Sequence, residues 1–311
     1  MDRSDRTLEI LMAVCNGEAF LSAQLDSILR QSDERWHLTI SDDGSTDGTG
    51  AIIDDYVRRF PDRIAHYRSG RRFGNARDHF FHLMARCVAD YMLFCDQDDV
   101  WYPEKVQKTR KTLEDAESEW GRDMPVLVFS DQTPTDAELK PLAPSLMRYQ
   151  DQYFGHFDYR SLLMQNVVTG GATGVNRALA RLAGRGEDAP GIIMHDWWLA
   201  VVAARFGKIV YIDEALGVYR QHGENAVGAK DVGSAGYALD RLGAINGVRQ
   251  SILRKKAQAR AFRLTYRDEL GPEDERFLVQ FEKPRSGLAF YWRYLGLIHG
   301  VKRKAGMALL G

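Results

Sequence analysis

The fold is indicated most clearly by the stretch Tyr91-Met92-Leu93-Phe94-Cys95-Asp96-Gln97-Asp98-Asp99, in which an apolar run ends in three carboxylates. The first five residues have the length and composition of a buried β-strand. The three carboxylates repel one another, and a divalent cation or hydrogen-bond donors between them would keep them ionised. Carboxylate oxygens suit Mg²⁺ or Mn²⁺. Helix capping and surface solvation explain the acidic run equally well when it is taken alone.

Short apolar runs and amphipathic helical patterns alternate on both sides of this stretch. Further strands are predicted at Leu8–Val14, Leu38–Ile40, Ile64–Tyr67, Val126–Phe129 and Lys208–Ile212. Helices are predicted at Glu18–Arg30, Ala51–Phe60, Asn75–Val88 and His195–Phe206, and from Pro103 and Asn176 onward. Residues 132–165 are predicted to form loops with short segments of secondary structure. The alternation predicts an α/β fold with a mostly parallel, Rossmann-like sheet covered on both faces, and a helical C-terminal extension.

The composition is that of an ordinary globular protein. The chain has 311 residues, of which 44% are hydrophobic and 27% charged. Three cysteines are too few, and odd in number, for a disulfide framework, so a reducing compartment is expected. We expect neither a secretory signal nor a membrane-spanning helix, because the first residues are charged and no uncharged stretch reaches the roughly 18–20 residues that a span needs. These observations exclude the secreted, collagen-like and integral-membrane classes.

The charge is distributed unevenly along the chain. Residues 230–311 contain 16 Lys and Arg against 8 Asp and Glu, so they carry a net charge of +8, whereas residues 1–229 carry −9. Such a division indicates either that the C-terminal part contacts an anionic surface or that its positive charges lie on a solvated helical face and have no partner. A nucleic-acid partner is not expected, because the main part of the chain is acidic.

Further polar groups fall near the ends of the predicted elements, where open parallel sheets bind ligands. Asp42 and Asp43 follow the second strand, where they either form an Asx turn or meet a base or ribose. Arg77 begins a helix, where a diphosphate or a neighbouring carboxylate would relieve its conflict with the helix dipole. Asp196 opens a helix beside two tryptophans and is either a cap or a base in a partly desolvated pocket. His222 follows the last strand, where a lone histidine is more often a surface residue than a ligand.

Six motifs in this order resemble those of the second family of inverting glycosyltransferases, and more narrowly its bacterial rhamnosyltransferase-like branch. They are Ala13-Val14-Cys15-Asn16-Gly17-Glu18, Ser41-Asp42-Asp43-Gly44-Ser45-Thr46-Asp47, Phe94-Cys95-Asp96-Gln97-Asp98-Asp99-Val100-Trp101, Asn166-Val167-Val168-Thr169-Gly170-Gly171, His195-Asp196-Trp197-Trp198 and Tyr219-Arg220-Gln221-His222-Gly223-Glu224-Asn225. The resemblance runs from about Leu8 to Gly228. It implies a GT-A domain over residues 1–229, with a nucleotide-sugar half over about 1–131 and an acceptor half over about 132–229, followed by a basic helical region over 230–311.

The resemblance also implies roles for individual residues. The contacts to the donor nucleotide would come from Val14, Glu18, Asp42, Arg77, Asp96 and Gln97. A divalent cation, Mn²⁺ or Mg²⁺, would bind Asp98 and His222, and Asp196 would be the catalytic base. Supporting positions would be Asp43, Asp99, Gly170, Gly171 and Trp197.

The implied reaction is a single displacement that inverts the anomeric configuration of the sugar. Asp196 would take the proton of the acceptor hydroxyl, and the cation would stabilise the leaving nucleoside diphosphate. The expected donor is a UDP- or dTDP-linked sugar, rhamnose or a hexose. The expected acceptor is a glycan or polyprenyl-linked glycan in the synthesis of a surface polysaccharide such as O-antigen.

The last stretch, Leu288–Leu310, lies outside the matched region and mixes aromatic residues with Lys and Arg. This composition resembles an interfacial helix on anionic lipid, which would suit a lipid-linked acceptor. The alternative is a helix packed on the catalytic domain with its lysines in water. The expected location is the cytoplasm, with peripheral contact to the inner face of the plasma membrane.

Two other functions fit parts of the pattern. A sugar nucleotidyltransferase also combines paired carboxylates and a metal on an α/β sheet, but Asn16-Gly17-Glu18 is a poor version of its glycine-rich phosphate loop. A non-catalytic relative would bind nucleotide or glycan only. Substitution of Asp98 or Asp196 would indicate it, and both residues are present.

Overall fold

The computed structural model describes residues 6–152, 157–222 and 245–283, with side chains described from residue 249 in the last range. Within these ranges one sheet contains β1 (Leu8–Val14), β2 (His37–Asp42), β3 (Ile64–His66), β4 (Tyr91–Cys95), β5 (Val100–Trp101), β6 (Val126–Thr135), β7 (Thr173–Asn176) and β8 (Lys208–Arg220). The helices described are α1 (Leu21–Leu29), α2 (Thr49–Arg59), α3 (Ala76–Arg86), α4 (Lys105–Trp120), α5 (Leu146–Tyr149), α6 (Tyr159–Met164), α7 (Arg177–Gly184), α8 (His195–Phe206), α9 (Ile245–Thr265) and α10 (Pro272–Glu282).

The strands lie in the order β3-β2-β1-β4-β7-β6-β8-β5. Strands β3, β2, β1 and β4 pair in parallel, β7 is antiparallel to both of its neighbours, β8 is parallel to β6, and β5 is antiparallel to β8. Six strands therefore point the same way, and their carboxyl ends meet at one edge. In that register Val14 lies opposite Asp42, and Met12 lies opposite Cys95.

Helices cover both faces of the sheet because successive strand residues point to opposite sides. Ile10 and Leu93 belong to a buried cluster that also contains side chains of α1, α2 and α4. Leu11 and Phe94, their immediate neighbours, belong to a second cluster with side chains of α3, α8 and α9. The near-continuous apolar sequence of β4 follows from this burial on both faces. The predicted mostly parallel sheet with two covered faces is confirmed.

Helices α9 and α10 pack against α8. The indole of Trp198 lies 5.9 Å from the ring of Phe262 and 5.8 Å from that of Tyr266, and Phe277 and Phe281 of α10 belong to the same buried cluster. The helical pattern predicted beyond residue 230 is confirmed for residues 245–265 and 272–282. The predicted tail helix, 288–310, lies outside the described residues, and the division at residues 229 and 230 stays a prediction.

The element boundaries differ from the predicted ones mainly where the sheet extends. Strand β6 continues to Thr135 and β8 to Arg220, because the two strands pair with each other along that length. The short strands β5 and β7 are not predicted by periodicity, since they have only two and four residues. Helix α8 coincides with the predicted range, and α5 and α6 are the short pieces within residues 132–165.

Candidate active site at the carboxyl edge of the sheet

The acidic run after β4 lies at the carboxyl edge of the sheet. Asp96 is half-buried and accepts the backbone N–H of Gly171. Burial, followed by the charge of Asp98, raises the pKa of Asp96 to about 7. Asp99 is buried and accepts Nε2 of Gln132 at 3.1 Å, and burial also raises its pKa. The edge therefore concentrates carboxylates in a partly desolvated place, which favours the uptake of a proton or a cation.

The end of β8 is tied to this run. Nε2 of His222 lies 2.7 Å from Oδ2 of Asp98. Nε of Arg220 donates to the backbone carbonyl of Asp98 at 3.0 Å, and its guanidinium lies 4.6 Å from the centre of the Phe20 ring. The same ring lies 4.6 Å from the imidazole of His222. Residues far apart in sequence thus fix the position of Asp98.

Asp98 and His222 could hold a divalent cation. Carboxylate oxygen and imidazole nitrogen both ligate Mn²⁺, and Mg²⁺ commonly binds through one or two protein groups together with substrate phosphates and water. The part of the chain that the structure describes contains no cluster of three or more His, Cys, Asp or Glu side chains that could hold a metal. The pair offers two protein ligands, one carboxylate and one imidazole.

A short turn brings two backbone N–H groups to two carboxylates. It begins at Gly170, whose N–H donates to Asp196, and continues with Gly171, whose N–H donates to Asp96. A Cβ atom at position 171 would lie 2.5 Å from Oδ2 of Asp99 and 2.9 Å from Oδ2 of Asp96. Glycine is required at 171 because these carboxylates occupy the space that a side chain would take.

Asp196 lies buried in the first turn of α8. Its Oδ1 accepts the N–H of Trp197 at 2.6 Å, and Nδ2 of Asn166 lies 3.5 Å from its Oδ2. Burial raises the pKa of Asp196 to about 6, although the N–H groups of Trp197 and Gly170 stabilise its charged form. The charge of Asp196 in turn raises the pKa of Asp96, so the two carboxylates lie near each other. A carboxyl group in this setting can act as a base near neutral pH.

Asp42 and Asp43 order the loops after β2. Oδ1 of Asp42 accepts both the N–H and the hydroxyl of Ser45, at 3.0 and 2.6 Å. Oδ2 of Asp43 accepts the N–H of Gly74 at 2.7 Å, and its Oδ1 accepts that of Phe73. The Asx-turn interpretation therefore accounts for one oxygen of Asp42, and Asp43 connects the loop after β2 to the loop before α3.

Three other residues that were predicted to contact the donor nucleotide lie at or near the carboxyl edge of the sheet. Oε2 of Glu18 accepts the N–H of Gly48 at 2.8 Å. The amide of Gln97 forms two hydrogen bonds with the backbone of Cys15, at 2.7 and 3.0 Å. The side chain of Val14 is buried in the core. The Gln97 contacts hold the loop after β1 against the acidic run, and the Glu18 contact holds that loop against the start of α2.

Arg77 and Trp197 both have partners within the protein. The guanidinium of Arg77 donates to the two carboxylate oxygens of Asp78, at 2.6 and 3.0 Å, and to the carbonyl of Ile192 at 2.8 Å. The pairing with a neighbouring carboxylate, one of the two interpretations of its sequence position, is observed. Trp197 is half-buried, and its Nε1 donates to the carbonyl of Leu162.

Tyr219 is a site residue to which sequence reasoning assigned no role. It is half-buried near the end of β8, and burial raises the pKa of its hydroxyl. Asp99, Asp96, Asp98 and Asp196 raise this pKa further, in that order, so the hydroxyl lies near all four carboxylates. The motif around His222 contains Tyr219, but only the fold shows that its side chain lies near the cluster.

Lys105 is a second such residue. It is 1% exposed, and its Nζ has no hydrogen bond to the described residues and lies 4.8 Å from the centre of the Trp101 ring. Burial lowers the pKa of Lys105 to about 8, and Asp99 and Asp96 are among the groups that oppose this shift. A lysine at the start of a helix carries no signal of burial in the sequence.

His195 precedes Asp196 and is also buried. Its ring packs 4.2 Å from that of Phe80 and 5.1 Å from that of Phe94, and both ring nitrogens lack hydrogen bonds to the described residues. Burial lowers the pKa of His195 to about 3, so the imidazole is neutral. Nε2 would lie 3.2 Å from a Cβ atom at Gly170, so the ring supports the turn that binds Asp196.

No helix within the described ranges combines the length and the hydropathy that crossing a membrane requires.

Known proteins share both the sequence pattern and the fold. The model of "Glycosyl transferase family 2" matches residues 9–122. The dTDP-rhamnosyl transferase RfbG of Shigella flexneri is 30% identical over 247 residues, which are 75% of this chain and 78% of that protein. The structure is similar to that of TarS from S. aureus in complex with UDP-GlcNAc (TM-score 0.54, 12% identity, 94% of this chain and 84% of that one). It is also similar to that of the mannosyltransferase PcManGT from Pyrobaculum calidifontis in complex with GDP-Man and Mn²⁺ (TM-score 0.56, 16% identity, 98% and 75%). At such identities the structural likeness shows the GT-A fold alone, whereas the similarity to the rhamnosyl transferase shows the family: the chain belongs to glycosyl transferase family 2.

Proposed function

We propose that this chain is an inverting, metal-dependent glycosyltransferase that uses Asp196 as its base. The observation that carries the proposal is the buried carboxylate of Asp196, which lies near Asp96 and is held by the N–H groups of Trp197 and Gly170. Two residues after Asp96, Asp98 lies against His222. A base and a cation site at one edge of the sheet supply what the transfer of a sugar from a nucleoside diphosphate requires.

Asp98 and His222 are the proposed protein ligands of Mn²⁺ or Mg²⁺. When bound, the cation would offset the charge that develops on the leaving diphosphate. Asp96 is proposed to contact the ribose, and Asp42 the nucleoside, because Oδ2 of Asp42 has no hydrogen bond to the described residues. Asp99 and Gly171 support the site by packing against the other carboxylates.

Asp196 performs the proton transfer in the proposed mechanism. The acceptor hydroxyl attacks the anomeric carbon, and the bond between that carbon and the diphosphate oxygen breaks. The carboxylate of Asp196 takes the hydroxyl proton, and the diphosphate departs with the bonding electron pair. Because this is one displacement without a covalent sugar–enzyme intermediate, the configuration at the anomeric carbon inverts.

The proposed donor is a UDP- or dTDP-linked sugar, either rhamnose or a hexose. The similarity to a dTDP-rhamnosyl transferase supports the dTDP-linked donor, and the fold shared with a UDP-GlcNAc complex is compatible with uridine. The proposed acceptor is a glycan or polyprenyl-linked glycan of a surface polysaccharide. We further propose that the protein acts in the cytoplasm, in peripheral contact with anionic membrane.

Calorimetric titration with UDP, dTDP and GDP, each with and without Mn²⁺, tests the donor half of the proposal. We expect Mn²⁺-dependent binding of UDP or dTDP to the wild type, and loss of that binding in Asp98→Ala. Proton NMR of the product formed from the matching sugar nucleotide then gives the anomeric configuration. Binding that ignores Mn²⁺ contradicts the metal site, a retained configuration contradicts the mechanism, and pyrophosphate release from a nucleoside triphosphate would indicate a nucleotidyltransferase instead.

A further inference from the structure

The exposed face of α9 combines arginine and leucine. Arg249, Leu253, Arg260 and Leu264 follow one another at spacings of four, seven and four residues, which places them along one side of a helix. Leu253 and Leu264 are 49% and 54% exposed, and both arginines are exposed. We call these four residues the outer strip. The opposite side of α9 is buried in the core.

The outer strip is cationic. Helix α9 contains six Lys and Arg and no Asp or Glu. Its Arg263 pairs with Glu275 and Glu282 of α10. By contrast, Arg249 and Arg260 form no ion pair with the residues that the structure describes. Their charge is therefore available to a partner outside the described fold.

The chemistry of the strip matches an anionic bilayer surface. Single exposed leucines are ordinary on proteins. Here the two leucines lie beside arginines that have no ion pair within the described residues, and arginine can bury its aliphatic stem at a membrane interface while its charge stays among the headgroups. Guanidinium groups bind lipid phosphates, while the leucines reach the boundary of the acyl chains. A protein partner that complements this strip would need an acidic surface with matching apolar pockets.

Helix α9 packs on the proposed acceptor half through residues that lie outside the outer strip. Oε1 of Gln258 on α9 accepts the N–H of Ile193 at 3.0 Å, and a Cβ atom at Gly191 would contact Ala257. Ile193 belongs to the segment that leads into α8, which carries Asp196, and it lines a cavity together with Arg77. A bilayer at the outer strip would therefore be separated by helix α9 from the segment that leads to the proposed base.

We propose that the outer strip of α9 docks on an anionic lipid bilayer. This rests on the membrane contact of the proposed function, but it assigns that contact to described residues of α9 and not to the tail at 288–310. The strip would hold the enzyme where a lipid-linked acceptor is presented.

Flotation of the full chain with vesicles tests the assignment. The vesicles contain phosphatidylcholine with phosphatidylglycerol, or phosphatidylcholine alone. We expect the wild type to float with the anionic vesicles only. The double variants Arg249→Glu/Arg260→Glu and Leu253→Ser/Leu264→Ser should each reduce binding, the former by more than about tenfold, because each cation near an anionic surface contributes roughly a factor of five. Matched controls are Arg30→Glu/Arg122→Glu and Leu139→Ser/Leu142→Ser, exposed pairs elsewhere on the surface, which should bind like the wild type.

Three results would overturn the assignment. In the first, the wild type does not float with anionic vesicles. In the second, the strip variants float like the wild type. In the third, the strip variants differ from the wild type in molecular mass in solution, which would assign the strip to contact with a second copy of the chain. Nucleotide titration on the same variants separates the two proposals. The wild type and the strip variants could bind UDP or dTDP alike while flotation gives one of these contrary results. In that case the proposed docking site is wrong and the proposed donor site is unaffected.

Discussion

Nε2 of His222 lies 2.7 Å from Oδ2 of Asp98, although 124 positions separate the two residues in the chain. Asp98 follows the central strand β4, and His222 follows β8, three strands further along the sheet. The antiparallel pairing of β5 with β8 brings these ends together, since Val100 pairs with Val218. The contact is the geometric basis of the proposed cation site.

Replacing His222 tests whether this pair binds metal. We expect His222→Ala to weaken Mn²⁺-dependent binding of the nucleoside diphosphate by at least about 10- to 100-fold, the loss typical for residues that only support a ligand. Calorimetry at fixed Mn²⁺ measures the effect. His66→Ala is the matched control. Nδ1 of His66 lies 3.1 Å from Oδ1 of Asp54, so the two residues form a similar pair, and this pair lies outside the proposed site. Equal affinities of His222→Ala and wild type would remove His222 from the cation site.

Asp196→Asn should strongly slow the transfer without weakening donor binding. The amide is nearly isosteric with the carboxylate but cannot take a proton, so kcat should fall by about 10²- to 10⁴-fold. Titration with the nucleoside diphosphate should give the same affinity as for the wild type. Parallel losses of donor affinity and kcat would indicate a structural role for Asp196 instead.

The pH dependence of the wild type follows from the same residue. Asp196 acts as a base only when it is ionised, and burial raises its pKa to about 6. We therefore expect kcat/KM to rise with pH through about 6 and to fall as pH is lowered below that value. Initial rates at saturating Mn²⁺ between pH 5 and 8 measure the profile. The anomeric configuration of the product is determined at each pH. A rate that is constant down to about pH 4.5 would contradict a base in this environment.

Gly171→Ala should destabilise the protein and impair the site together. The added Cβ would lie 2.5 Å from Oδ2 of Asp99 and 2.9 Å from Oδ2 of Asp96, so carboxylates or backbone must move. Such overpacking costs about 1–3 kcal/mol of the free energy of unfolding. Gly50→Ala is the matched control, because a Cβ there meets nothing within 4 Å, and in helix α2 it should stabilise by about 0.4–1 kcal/mol. Urea denaturation compares the two, and a Gly171→Ala variant as stable as the wild type would show that the turn yields easily.

Lys105→Met should alter how stability depends on pH. The folded-state pKa of Lys105 is about 8, below its usual 10.5, so between these values the unfolded chain binds more protons than the folded one. The contribution of Lys105 to the free energy of unfolding therefore rises as pH increases across that window. The wild type should gain stability relative to Lys105→Met between about pH 8 and 10. Urea denaturation at several pH values measures this difference.

Lys111→Met provides the control for that experiment. Lys111 lies on the same helix, and its side chain is 70% exposed and paired with Asp115. Its difference from the wild type should change little over the same range. A pH-independent difference for Lys105→Met as well would mean that Lys105 is solvated as an ordinary lysine.

The order of the elements and the chemistry at their ends could be read from the sequence. The pattern of apolar residues predicts β1 and β4, and α8 begins at the predicted His195. These elements are predictable because a buried face of a strand or helix gives apolar residues that recur every two or 3.6 positions in the local sequence. The acidic run after β4 and the carboxylate of Asp196 likewise follow from their place at the ends of elements.

The partners of these groups were decided by the tertiary structure. The sequence left Arg77 with two interpretations, and the fold pairs it with Asp78 and Ile192. Nothing local indicated that Lys105 is buried or that Tyr219 lies near four carboxylates. A hydrogen bond or a desolvated charge depends on which atoms the strand order brings within a few ångströms. The sequence by itself therefore determined the longer elements and the kinds of chemical groups at their ends. Only the assembled sheet decided the short strands β5 and β7 and which of those groups meet.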